Sequence, residues 1–479
     1  MSDTRRWAAL WVIALAQFMV IMDTSIIGVA LPKMRVDLGF TAESLQWVFN
    51  AYVVVLGGLL LLGGRLSDLF GARRMFATGW AVLLAGSVVS AVADSVSVEL
   101  VGRAAQGAGS ALIAPAALTL LMTLFGGTSD LPKAIALYGA AAPAGGTAGV
   151  FLGGVITEWL SWPWIFWLYV PISIAALIAT PLLMPQPSGR RGSLDLLGAV
   201  TVTAGLTLAV LGVVRAPQIG WDSGTTLLTL AGAVLLIAAF LGLEATLRNP
   251  LIRLKIFRTP LLGAANLAQI LLGAAWVPMW YFLNLYLQQV LGYGAFASGA
   301  ALLPMTVLIM VLMVAVAPRL IVRFGPKPLI VAGLVALSAG LLWLSFVRPT
   351  GNFAVDVLPA SLVAALGQAL AFIPSLGTAL SSARPEEGGL AAGIVNTAYQ
   401  IGSALGLAAM TAVAAAHGAT HFGNRPDLTD GYSAAFTGAA SIAVAGAVLV
   451  AALFRTRSGP GTAAPADQHR TQPLTVIDV

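Results

Sequence analysis

The sequence predicts an all-α polytopic membrane protein built as two pseudo-symmetric six-helix bundles plus two extra helices, fourteen transmembrane segments in total. Three observations carry that expectation. Charged residues are 9% of 479 and hydrophobic residues 58%, with a mean hydropathy of +0.91, whereas a soluble domain is roughly one-quarter charged. Apolar stretches of the roughly 20 residues a bilayer requires recur along almost the whole length. A loop pattern in the first half also returns in the second, 254 residues later.

Taken in order, the spans fall at about 7–31, 46–66, 75–94, 99–123, 133–156 and 163–184, then 196–215 and 225–246, then 261–289, 297–317, 327–347, 355–379, 389–415 and 433–454. The first runs from Trp7 to Pro32 with Asp23 as its only charge, too long and too continuous for a cleaved leader. Basic residues or Gly and Pro clusters punctuate the others: Arg65 closes the second, Arg73 and Arg74 open the third, and Pro326 with Lys327 opens the eleventh. The expected organisation is therefore a short N-terminus (1–6), an N-terminal bundle (7–184), two inserted helices with a linker (185–259), a C-terminal bundle (260–454) and a tail (455–479). The tail, rich in Pro, Gly and polar residues, reads as a disordered extension.

An even number of spans places both termini on one side. Lys and Arg collect in cytoplasmic loops, and with the N-terminus inside, 19 of the 25 basic residues fall there. Lys33, Arg35, Arg215, Arg348 and Arg425 fall outside, and Arg103 lies within a span. Both termini are thus expected in the cytoplasm. The net charge of +6 belongs to this orientation pattern and gives no reason to expect nucleic acid as a partner.

Several chemistries are excluded. Zero cysteines remove disulfides, thiol catalysis and cysteine-bound metal. The three histidines, His417, His421 and His469, lie near the last outer loop or in the tail, and no H-E-x-x-H is present. No G-x-x-x-x-G-K-[ST] occurs, so ATP cannot be the driving force by that route. The chain is not expected to be an enzyme, to bind metal or to need an organic cofactor.

Asp23 is the anomaly. A charge at mid-bilayer depth costs roughly 2.5–3.5 kcal/mol on insertion scales, so folding alone does not recommend it. It reads as the only acid well inside a span, with Glu99, Glu158, Glu244 and Asp356 at span ends, where water or headgroups can solvate them. Arg103, also intramembrane, is the obvious partner. Two readings follow: Asp23 lines a cavity between the halves and carries a coupling proton that Arg103 tunes, or the two form a static ion pair joining helices 1 and 4.

The repeat is visible in "GRLSDLFGARRMF" (Gly64 to Phe76) and "PRLIVRFGPKPLI" (Pro318 to Ile330), where Arg65, Leu66, Phe70, Gly71 and Arg73 correspond to Arg319, Leu320, Phe324, Gly325 and Lys327. Parallel repeats of this kind build many secondary transporters, with the substrate site between the halves. The first copy resembles the signature loop of the major facilitator superfamily, G-x-x-x-D-x-x-G-R-[KR]-[KR]: Gly64, Asp68, Gly71, Arg73 and Arg74 match, and Ala72 replaces a basic residue. Gly71 permits a tight turn, and Asp68 can accept from a helix N-terminus or a cation, making a latch between rigid blocks. Val322 replaces the acid in the second copy, so any latch is one-sided.

Further stretches resemble the fourteen-helix drug:proton antiporters of that superfamily. "MDTSIIGVALP" (Met22 to Pro32) is similar to their helix-1 motif, and "RAAQGAGSA" (Arg103 to Ala111) to the helix-4 motif R-x-x-Q-G-x-G. "YLQQVLGYGAFASGAALLP" (Tyr286 to Pro304) and "GIVNTAYQIGSALG" (Gly393 to Gly406) resemble stretches of the second half. The helix-5 motif G-x-x-x-G-P-x-x-G-G is matched by Gly145, Gly149, Gly153 and Gly154, with Val150 in place of proline. "WPWIFWLYVP" follows, with Pro163 and Tyr169 as substitutions. The resemblance implies drug efflux in exchange for protons by alternating access, with Asp23 and Arg103 in the coupling role and protons as the only coupling ion.

Candidate substrate-cavity residues are Gln17, Asn50, Gln106, Trp276, Asn284, Gln288, Asn396 and Gln400, polar or aromatic side chains inside spans. Asn266, Gln269 and Gln289 share that character, and Trp276, Trp280 and Tyr281 fit either a cavity or an interfacial belt. The expected partners are a lipophilic small molecule such as an antibiotic or dye, and membrane lipid, with the chain acting as a monomer. The Ala, Gly and Arg content suits a bacterial source, hence a multi-pass protein of the bacterial inner (cytoplasmic) membrane. A passive facilitator, a ligand sensor or an importer of the same fold remains compatible with the residues.

Overall fold

The structure, a computed structural model, describes residues 3–40, 45, 47–185, 196–246, 260–383, 388–419 and 423–454. Expectations for the tail 455–479, and for Arg190, Arg191, Arg248, Arg253, Lys255, Arg258, Arg384, Arg455, Arg457 and Arg470, lie outside the described residues.

Peptide groups in hydrocarbon have no water to bond, so each apolar stretch closes its hydrogen bonds within a helix. The N-terminal half comprises α1 (Asp3–Leu38), α2 (Trp47–Phe70), α3 (Ala72–Ala91), α4 (Val96–Phe125), α5 (Leu131–Trp159) and α6, which runs in two pieces, Pro163–Trp167 and Tyr169–Leu183. The inserted pair is α7 (Leu196–Ile219) and α8 (Gly224–Thr246). In the C-terminal half, α9 (Pro260–Leu285) ends in a π turn, Tyr286–Val290. Helix α10 is assembled from Ala295–Ala301, Leu303–Val311, a π turn at Leu312–Val316 and Ala317–Phe324. It is followed by α11 (Pro326–Leu344), α12 (Leu358–Ser381, entered by a π turn at Phe353–Val357), α13 (Gly388–Ala416) and α14 (Arg425–Leu453). Thirteen helices among the described residues are long and apolar enough to span a membrane, and α7 adds a shorter apolar stretch, Leu197–Val213. Exposed residues such as Leu227, Leu228, Val234 and Leu235 on α8 form the apolar exterior that lipid requires.

The two halves repeat one another in detail. The breaks between α2 and α3 and between α10 and α11 fall at Gly71 (φ 92°) and Gly325 (φ 76°), left-handed conformations that favour glycine. Helices α3 and α4 touch through Gly79, where a Cβ would stand 2.8 Å from the Gly109 carbonyl oxygen. Helices α11 and α12 touch in the same way through Gly333, 2.8 Å from the Gly367 carbonyl oxygen. Pro115 in α4 and Pro374 in α12 each have their carbonyl taken by the threonine one turn later, Thr119 at 2.9 Å and Thr378 at 2.7 Å. Small residues at these crossings let backbones meet, the packing that lipid favours.

The halves meet along two seams. Helix α5 packs against α10, and α2 packs against α13. The inserted α7 pairs with α8 and also lies against both α2 and α13, so it covers the second seam. A Cβ at Gly57 of α2 would be 3.1 Å from Val210 Cγ2 of α7, and the Arg215 guanidinium sits over the Trp47 ring at 5.2 Å.

Candidate functional site

Helix α1 divides its residues between two faces. Gln17, Ile21 and Thr24, spaced by three or four, look into the space between the halves, whereas Val20's neighbour one turn on, Asp23, turns toward α4. Arg103 of α4 meets it there: Nη1 is 2.7 Å from Asp23 Oδ2 and 2.9 Å from Oδ1. The pair is sealed, with Asp23 2% exposed and Arg103 0%. Arg103 Nε donates to the Val48 carbonyl at 2.8 Å, and Nη1 also donates to Gln106 Oε1 at 2.7 Å. Gln106 Nε2 in turn donates to Ser87 Oγ of α3 at 2.8 Å. The guanidinium lies over the Tyr52 ring at 4.8 Å, and Tyr52 donates to Ser110 Oγ at 3.0 Å. Tyr169 of α6 stands beside Asp23. The network thus draws on five helices of the N-terminal half and none of the C-terminal half.

The helix-5 glycines set this register. A Cβ at Gly149 would be 2.7 Å from the Met22 carbonyl oxygen and 3.0 Å from Ile26 N, and one at Gly153 would be 2.9 Å from the Ile26 carbonyl oxygen. One at Gly145 would press on the Phe18 carbonyl, and Gly154 is buried alongside. Their absence of side chains lets α5 grip the α1 backbone on both sides of Asp23. Val150, standing where the antiporter motif has proline, is buried within an unbroken α5.

Between the halves lies a cavity of about 600 Å³. Gln17, Asn50, Trp276, Asn396 and Gln400 line it, as do Trp280, Tyr281 and Gln269. Among its described lining residues none is charged. Tyr138 donates to Gln17 Oε1 at 2.8 Å, Gln269 Nε2 donates to Ser375 Oγ at 2.9 Å, and the Trp276 and Trp280 rings stand 6.2 Å apart. Val210 and Val213 of α7 complete the wall over the α2–α13 seam, a role for the inserted pair that composition did not signal.

The expectation that Asp23 lines this cavity is not met: neither Asp23 nor Arg103 is on the lining, and the acid sits one helix face behind it. Gln106 is also withdrawn from the cavity set, because its amide is spent on Arg103 and Ser87. Asn284 and Gln288 leave it as well. They lie where α9 passes into its π turn, and Asn284 Oδ1 accepts from Gln288 at 3.0 Å and from Ser298 of α10 at 2.6 Å. Asn266 and Gln289 are likewise turned elsewhere, Asn266 donating to the Leu262 carbonyl and Gln289 accepting from Tyr432.

Acids at span ends also differ from expectation. Glu158 is exposed, but Glu99 is 0% and Glu244 4% exposed. Asp356 is covered by Arg348, whose Nε donates to it at 2.8 Å. Glu99 is buried because Val96, Leu100, Trp162, Ile165 and Phe166 gather into an apolar cap at that end of the half. Its spacing of four from Arg103 was the available signal, since it places both on one face of α4.

At the other end, Asp68 Oδ2 accepts from Leu390 N–H at 3.0 Å, in the first turn of α13. An acid of one half therefore caps a helix of the other. Gly64 lies under α13, 3.5 Å from where a Cβ on Gly393 would be, Arg73 is half-buried and Arg74 is exposed.

Comparison with known proteins agrees with this geometry. Residues 13–407 match the family model described as Major Facilitator Superfamily. The chain is 39% identical over 442 residues to the cephamycin export protein CmcT of Amycolatopsis lactamdurans, covering 91% of this chain and 90% of that protein. It is 36% identical over 468 residues to the puromycin resistance protein pur8 of Streptomyces alboniger, covering 95% and 93%. Among solved structures, the proton:xylose symporter XylE bound to 6-bromo-6-deoxy-D-glucose superposes with a TM-score of 0.67 at 15% identity, over 95% of this chain and 97% of that one, a likeness of fold alone. With two six-helix halves enclosing a central cavity, an acid of one half capping a helix of the other and a family match over most of its length, this multi-pass membrane chain belongs to the Major Facilitator Superfamily.

Proposed function

We propose that the chain exports lipophilic small molecules by alternating access in exchange for protons, conferring resistance to them. The observation that carries this reading is the sealed Asp23–Arg103 pair, whose acid stands directly behind the cavity wall on α1, the helix that presents Gln17, Ile21 and Thr24 to the cavity. A proton arriving at Asp23 cancels its charge and leaves Arg103 without its counter-ion, so the α1–α4 contact must rearrange. Residues of α1 that face the cavity then move with it, which couples protonation to the substrate space. The Asp68 cap holds α2 to α13 in the present arrangement and has to release for the opposite end to close.

The relatives' names support export of antibiotics, and the cavity supports a largely uncharged or aromatic-stacking ligand, since its polar groups are neutral amides and hydroxyls. A proton crossing 100 mV brings about 2.3 kcal/mol, enough for tens-fold accumulation before any pH gradient is counted. The setting is a bacterial cytoplasmic membrane with both termini inside, and the working unit is one chain.

Inverted vesicles containing the protein test this with puromycin and a dye such as ethidium as probes. Energised vesicles are expected to accumulate a probe and to release protons as they do so, and a protonophore is expected to abolish both. Accumulation that persists with the gradient collapsed rejects proton antiport.

A further inference from the structure

Glu99 is a buried acid that the pair described above does not use. Beyond the Ser90 hydroxyl of α3, its carboxyl oxygens meet no hydrogen-bond partner, and it forms no ion pair within 4 Å among the described residues. It stands one helical turn from Arg103 on α4, close enough to sense that charge, with the Ser90 hydroxyl of α3 beside it. Arg103 is incompletely used as well. Its Nε and Nη1 are engaged with Val48, Asp23 and Gln106, while Nη2 is buried without a partner. One sealed compartment therefore holds two carboxyls, one guanidinium, one unspent donor and one unspent carboxyl. Other elements packed on α4 place no second cation in this compartment: α13 carries no charged residue, α5 carries only exposed Lys133 and Glu158 at its ends, α1 carries exposed Lys33, Arg35 and Asp37 at its outer end and Asp3, Arg5 and Arg6 at its inner end, and the charges of α2 and α3, Arg65, Asp68, Arg73 and Arg74, lie at the end of the half opposite Glu99.

We infer that Glu99 is a second proton-binding site of this network, exchanging with Asp23 for the single charge of Arg103. A lone guanidinium cannot neutralise two carboxylates away from water, so one of the two holds a proton. In one arrangement, Asp23 is ionised against Arg103 and Glu99 is the neutral acid. In the alternative, the O–H bond of Glu99 breaks, an O–H bond forms on Asp23, and Arg103 moves its contact from Asp23 to Glu99 through Nη2, keeping its own charge throughout. The net charge of the compartment is the same in both arrangements, so the transfer moves a proton along α4 without exposing a bare charge to lipid. Glu99 lies near the start of α4, at the end of the half opposite the Asp68 latch, which places it on the outer side of the pair in the orientation proposed above. It would be the group through which protons reach Asp23 from that side. This rests on the proton-antiport reading and adds a second carrier to it.

The test uses the full chain reconstituted in liposomes and read by infrared difference spectroscopy between alkaline and acid buffer, with puromycin transport measured in parallel. Wild type is expected to show separate C=O bands for protonated Glu99 and Asp23. Glu99→Gln is expected to lose one band, retain that of Asp23, and slow proton-driven puromycin accumulation several-fold at an unchanged number of protons per puromycin. Should Glu99→Gln prove misfolded on size exclusion, Glu99→Asp is read instead, and a shifted band at unchanged band number supports the site. A spectrum unaltered by either substitution overturns the inference. Wild-type puromycin accumulation that persists with the proton gradient collapsed overturns the antiport reading instead, so the two failures are distinguishable.

Discussion

Removing one member of the sealed pair should be far more damaging than removing both. In Arg103→Met, the 2.7 and 2.9 Å contacts to Asp23, the 2.7 Å bond to Gln106 and the 2.8 Å bond to the Val48 carbonyl all vanish, and a 2%-exposed carboxylate is left without a counter-ion. Breaking one side of such a pair costs about 3–5 kcal/mol, whereas replacing both partners with apolar groups of similar volume is often close to neutral. Asp23→Leu should cost a comparable amount because it strands the guanidinium. The double variant, Asp23→Leu with Arg103→Met, should lose no more than either single one, giving a coupling energy of at least about 3 kcal/mol. Unfolding in mixed micelles, followed through the 12 tryptophans, measures all four corners of the cycle. Additive losses, with coupling under about 0.5 kcal/mol, would refute the reasoning that the two act as one buried unit.

Gly149→Ala puts a methyl group 2.7 Å from the Met22 carbonyl oxygen and should destabilise by about 1–3 kcal/mol, seen as earlier thermal unfolding in detergent. Asp68→Ala removes the acceptor for Leu390 N–H, a charge-assisted bond worth about 1.5–3 kcal/mol. Because the chain has no native cysteine, a single cysteine at Leu60 can report the effect: its labelling by a membrane-impermeant maleimide in inverted vesicles should rise when Asp68 is replaced. Val210→Trp narrows the cavity at the wall that α7 supplies and should reduce transport of bulky probes more than of small ones, with overpacking at the α2–α7 contact costing about 1–3 kcal/mol of stability.

What could be read in advance was whatever depends on chain-wide composition or on charge inside an apolar segment. Asp23 and Arg103 stood out because lipid tolerates few such residues, and the structure joins them at 2.7 Å. The loop around Gly71 was legible because its repeat at Gly325 retains the same break, and both glycines adopt positive φ. Which face of a helix meets the cavity was not legible. One residue of rotation is about 100°, enough to turn Asp23 toward α4 while Thr24 meets the cavity, and no single-residue signal fixes that angle. Asn284 and Gln288 were misplaced for a related reason: they continue the α9 stripe of Trp276 and Trp280, but α10 crosses there and Ser298 takes up Asn284. Glu99 was assigned to water because it opens a helix, yet it is buried at the end of the half where Trp162 and Phe166, from the α5–α6 connection and the first piece of α6, gather with Val96 and Leu100. The place of α7 over the α2–α13 seam likewise depends on how the inserted pair docks, and the apolar pattern of α7 alone suits any lipid-facing helix.

Proton coupling through Asp23 is most directly tested by comparing two assays on one variant. In liposomes, Asp23→Asn is expected to exchange labelled puromycin for unlabelled puromycin across the membrane, showing an intact substrate path, while failing to concentrate it under an imposed pH gradient. Uphill accumulation by Asp23→Asn at the wild-type level would contradict the account.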